Sequence, residues 1–161
     1  MINDSFEIDE RILILGSSKI SCDYYNNLAI SISEAIKEGS RASNPFDTSV
    51  FIQSIKGNPN KDELIYKRII RLIDLAKVVI VDISEASTGV GVEVGYLIST
   101  LRTHKKRVYF ISQNSKKPSP HIMGMYKTYV GKYPHVYFYK EQDSMFDALS
   151  DVVHEFVIER K

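Results

Sequence analysis

Two stretches of the chain combine residue types suited to chemistry. The first is Gly89-Val90-Gly91-Val92-Glu93-Val94-Gly95, which sets one carboxylate among glycines. Gly89 and Gly91 bracket a single residue, a spacing that lets backbone approach a ligand closely and turns free amides toward it where a helix begins. An anion or a polar sugar suits such a place, and the same spacing also serves a turn that only packs a helix onto a sheet. Glu93 is expected in the first turn of the following helix, where the helix dipole stabilises a carboxylate by about 0.3 to 1 kcal/mol. A carboxylate kept ionised beside glycines is suited to attack an anomeric carbon. Spacing alone does not separate that role from a helix-start preference. The second stretch is Gly16-Ser17-Ser18-Lys19. Neither stretch is a dinucleotide fingerprint or a Walker loop, because the remaining glycines and the Lys-Ser/Thr pair are missing.

The elements that must position these residues follow from hydrophobic pattern. Ile12 to Leu15 is a short apolar run that opens at Gly16 into a loop, which predicts a first buried strand. Leu28, Ile32 and Ile36 predict a helix over Asp23 to Lys37, and Ser40 to Phe46, with Asn44-Pro45, breaks it. Val50 to Ile52 is expected as the second strand, and Gly57 to Asn60 as a turn before a helix over Asp62 to Leu75. Val78 to Val81 is the strongest strand, expected at the centre of the sheet with both faces covered. A polar segment Asp82 to Gly91 then leads to a helix over Val92 to Leu101, a strand over Val108 to Ile111 and a basic loop Gln113 to Pro120. A short helix over His121 to Tyr126, a last strand at Val136 to Phe138 and a closing helix over Ser144 to Arg160 complete the pattern. This alternation predicts an α/β fold with a doubly wound, flavodoxin- or Rossmann-like parallel sheet of about five strands. In such a sheet, ligands sit beyond the carboxyl ends of the strands where strand order reverses, which selects the loops after the first and third strands.

Composition narrows the classes of function. With 161 residues and 43% hydrophobic content, one domain over residues 11–161 is expected behind a polar segment over residues 1–10. The 21 basic and 20 acidic residues leave no net field for nucleic acid, and Lys106-Arg107 with Lys116-Lys117 reads as a solvated rim. Apolar runs fall far short of the roughly 18 to 20 residues that cross a bilayer, so no membrane role is expected. The single cysteine, Cys22, cannot form an internal disulfide, and no secretion signal opens the chain, which together predict a cytoplasmic protein. His104, His121, His135 and His154 lack metal-ligand spacing, so no metal site is expected and they read as incidental. The aromatic residues Tyr126, Tyr129, Tyr133, Tyr137, Phe138 and Tyr139 serve either a subunit interface or the core.

The segment Asp82 to Tyr96 resembles the signature of the nucleoside 2-deoxyribosyltransferase superfamily, and within it the branch of 2′-deoxynucleoside 5′-monophosphate N-hydrolases. There a strand of aliphatics leads to Ser or Asp and then to Gly-x-Gly-x-Glu-x-Gly. The similarity extends more loosely from Ile12 to Met123, with Gly89 to Gly95 its specific part. The resemblance implies that Glu93 is the nucleophile that forms a glycosyl-enzyme intermediate, without any cofactor. It implies that Gly16, Ser17, Ser18 and Lys19, with Ser87, Gly89 and Gly91, hold the phosphate and sugar. Ser87 matches a position that is serine in hydrolases of monophosphates and aspartate in transferases of free nucleosides. Ser119 resembles a phosphate-contacting serine that reaches over from a neighbouring subunit, which implies a homodimer or larger homo-oligomer.

Two positions depart from the family pattern. Leu13 stands where relatives carry a tyrosine that supports the nucleophile, and Ile69 where they carry an aspartate that assists the leaving base. General acid catalysis is commonly worth about 10² to 10⁴ in rate. Asp62, Asp74 and Asp82 are candidate substitutes, and Tyr24, Tyr25, Asn44, Phe46 and Gln53 are candidates to meet a base. The expected activity is cleavage or transfer at the N-glycosidic bond of a nucleoside 5′-monophosphate. The alternatives are a nucleotide-binding or sensor module that has lost catalysis, and an NAD glycohydrolase.

Overall fold

The computed structural model describes residues 12–17, 27, 42–43, 56–85, 87–103, 106–112, 118–129, 132 and 136–140. Strands β1 (Ile12–Leu15), β2 (Ala42–Ser43), β3 (Val78–Asp82), β4 (Arg107–Ser112) and β5 (Val136–Lys140) pair in the order β2-β1-β3-β4-β5. Every pair is parallel. Helices α1 (Lys61–Leu75), α2 (Thr88–Thr100) and α3 (Pro120–Tyr129) alternate with β3, β4 and β5. The molecule is therefore an α/β protein built on a parallel sheet.

Burial explains why the aliphatic runs are strands. β1 and β3 are buried at every position, with Leu13 beside Val79 and Leu15 beside Val81. β3 is hydrogen-bonded on both sides, to β1 and to β4, which gives it the central place that its four aliphatic residues require. Leu13, Leu15, Val79, Val81, Val108 and Phe110 form one cluster with residues of all three helices, so α1, α2 and α3 cover the same face. The alternate residues Ile12, Ile14, Val78, Ile80 and Tyr109 point the other way and are buried too. Tyr126 and Tyr129 pack against the core from α3, Tyr126 edge-on to Phe110 with ring centroids 6.1 Å apart. For these two tyrosines, core packing is the role that the fold displays.

The strand beside β1 lies in a place the hydrophobic pattern does not mark. It is Ala42–Ser43, inside the segment read as a break, because a two-residue edge strand carries no periodic signal. Val50 to Ile52 and the helix over Ser144 to Arg160 lie outside the described residues, and of Asp23 to Lys37 only Asn27 is described, in helical conformation. The turn before α1 is as expected: Gly57 has φ +81°, a conformation that favours glycine, and the Asn58 side chain accepts from the Asn60 amide at 2.8 Å.

At its other end α1 is closed by a residue distant in sequence. The Lys106 ammonium donates to the carbonyls of Ile73, Asp74 and Ala76, each at 2.7 Å. Those are orphan carbonyls of a helix whose last turn holds no basic residue. Lys106 is thus buried, 3% exposed, and not part of a solvated rim. Burial lowers its pKa while the Asp74 carboxylate opposes that shift. Tyr96 Oη donates to Asp74 Oδ1 at 2.8 Å and ties α2 to the same corner.

Candidate functional site

α2 carries the candidate site residues, and it begins earlier than its glycines suggest. Ser87 is the N-cap, extended at φ −144° and ψ 137°, and its Oγ accepts from the Val90 amide at 3.5 Å. Thr88, Gly89, Val90 and Gly91 are already helical, four residues ahead of the expected start at Val92. Packing of Val90, Val94 and Leu97 on the sheet overrides the poor helix propensity of the glycines. The Gly91 amide donates to the Ser87 carbonyl at 3.0 Å, so it is not turned toward a ligand. An added Cβ at Gly91 would meet nothing within 4 Å, and at Gly89 it would touch only the Ser87 hydroxyl.

The earlier start moves Glu93 from the first helical turn to the second, and its environment changes with it. The expectation of a carboxylate kept ionised by the helix terminus is corrected. Glu93 is only 6% exposed, and Oε2 has no hydrogen-bond partner among the described residues. Burial alone pushes the carboxyl up from its ordinary 4.5 to about 7. Desolvation outweighs the dipole because the dipole acts within the first turn, whereas burial opposes charge wherever it sits.

Tyr96, three residues on from Glu93, reaches Asp74 of α1. Crossovers between parallel strands are right-handed, which places α1 over β1 and α2 over the β3–β4 side. Gly16 and Ser17 lie buried immediately beyond the end of β1. Between β1 and β3 the chain order reverses, since β1 lies next to β2 on one side and β3 on the other. Ser18 and Lys19 lie outside the described residues, as do Tyr24, Tyr25, Asn44, Phe46 and Gln53.

A cleft of about 350 Å³ opens between the start of α2 and α3. Ile83, Val90, Ile122 and Met125 give it apolar walls, and Glu85, Ser87, Thr88, Gly91, Ser119 and His121 supply its polar groups. Ser87 and Ser119 thus line the same cleft. Glu93, Gly16 and Ser17 do not line it. Of the residues expected to form one site, Ser87, Gly91 and Ser119 line this cleft.

Of the three acids considered as proton donors, Asp82 is buried at the carboxyl end of β3, while the other two lie on α1. Asp74 is engaged by Tyr96 at the far end of α1, Asp82 Oδ1 accepts from the Ser84 amide at 2.9 Å, and Asp62 is exposed in the first turn of α1. Leu13 and Ile69 both serve the apolar core. Sequence reading passed over Thr88, Glu85 and His121 as cleft residues. For His121 the available signal is its place one residue into a helix that follows the carboxyl end of a strand. Among the described residues no group of three His, Cys, Asp or Glu is arranged to hold a metal, and no helix is long and apolar enough to cross a membrane. In comparison with known proteins, the chain matches no family model, and no curated protein matches it.

Proposed function

We propose that this protein cleaves or transfers the N-glycosidic bond of a nucleoside 5′-monophosphate, with Glu93 as the nucleophile. The observation that carries the proposal is the buried Glu93 carboxylate, one oxygen of which has no hydrogen-bond partner among the described residues. Almost all buried polar atoms are hydrogen-bonded, and a charged group held without a partner is a cost that folding alone does not require. Groups held at such a cost concentrate where chemistry is done. Both sheet faces being buried supports reading the fold as doubly wound, the arrangement that places ligands at the strand-order reversal.

In this reading a Glu93 oxygen attacks C1′ while the base departs with the C–N electron pair. Water or a second base then releases the sugar from the ester. Ser17 with Gly16, Ser18 and Lys19 meets the polar end of the substrate. No cofactor is needed. The resemblance in the Asp82 to Tyr96 segment supports the same role for Glu93, a homodimer and a cytoplasmic place in nucleotide metabolism. A second reading, a nucleotide-binding module without catalysis, is favoured by one observation: Leu13 and Ile69, at family catalytic positions, are core residues.

Chromatography of free base after incubation with nucleoside monophosphates, free nucleosides and NAD tests these readings. Catalysis predicts release from monophosphates that falls at least about a thousandfold in Glu93→Gln, the loss typical of removing a nucleophile. Saturable binding with no release from any compound establishes the second reading instead. Release from NAD alone identifies a glycohydrolase.

A further inference from the structure

We draw no further inference here: the strongest candidate, the cleft between the start of α2 and α3 with Ser87, Ser119 and His121 in its lining, belongs to the site already described, and nothing in the structure shows which ligand fills it.

Discussion

Two buried charges, Glu93 and Lys106, show opposite solutions to the same physical problem. The Lys106 ammonium, at the amino end of the sheet, spends its three donors on three carbonyls at 2.7 Å and closes α1. Glu93, in the second turn of α2, leaves Oε2 without a hydrogen-bond partner among the described residues. Both are almost excluded from solvent, at 3% and 6% exposure. A fully satisfied buried charge is explained by the fold that it holds together. An unsatisfied one is a cost to that fold and is explained by something the chain meets later.

Breaking the satisfied charge is expected to have the largest effect on stability. Lys106→Met leaves three carbonyls without their donor and should destabilise the protein by about 2–4 kcal/mol, measured by denaturant unfolding. Any activity per folded molecule should be unchanged, and a specific loss of activity at full stability would erase the distinction between the two charges.

The unsatisfied charge should reveal itself through pH. The Glu93 pKa is raised on folding from 4.5 to about 7, so across that interval the native state holds more protons than the unfolded chain. Its contribution to stability therefore falls as pH rises through that window and levels off above it. The expected loss is about 1–3 kcal/mol, less than the full linkage because some solvent screening persists. Glu93→Gln should remove this slope while lowering activity, and an unchanged slope would mean that another group titrates there.

Smaller changes sharpen the comparison along α2. Ser87→Ala removes an N-cap whose bond to Val90 is long at 3.5 Å, so a loss of about 0.5–1 kcal/mol is expected by thermal unfolding. Gly95→Ala runs the other way. Its Cβ would meet nothing within 4 Å, so better helix propensity should raise stability by about 0.5–1 kcal/mol. A destabilised Gly95→Ala would show that the outer face of α2 is occupied in solution.

How much of this could be read from the chain alone depends on the range of the forces involved. Ile12 to Leu15, Val78 to Val81 and Val108 to Ile111 were legible as strands, because a contiguous aliphatic run belongs where both sheet faces are covered. The turn at Gly57 and the helix after it were legible for the same local reason. Ala42–Ser43 was not, since its pairing with β1 comes from backbone hydrogen bonds that any residues can make. Nor was the start of α2 at Thr88, where packing on the sheet outweighs the two glycines.

For the candidate site the division is sharper. Residue type and spacing singled out Glu93, Ser17, Ser87 and Ser119 from the sequence alone. Only the tertiary structure decided that Ser87 and Ser119 share a cleft that Glu93 does not line. It also turned Lys106 from a surface lysine into the cap of a distant helix. Side-chain chemistry is a local property and travels with the sequence. Burial and partnership depend on contacts between residues far apart in the chain, and these give Glu93 its raised pKa and Lys106 its three bonds.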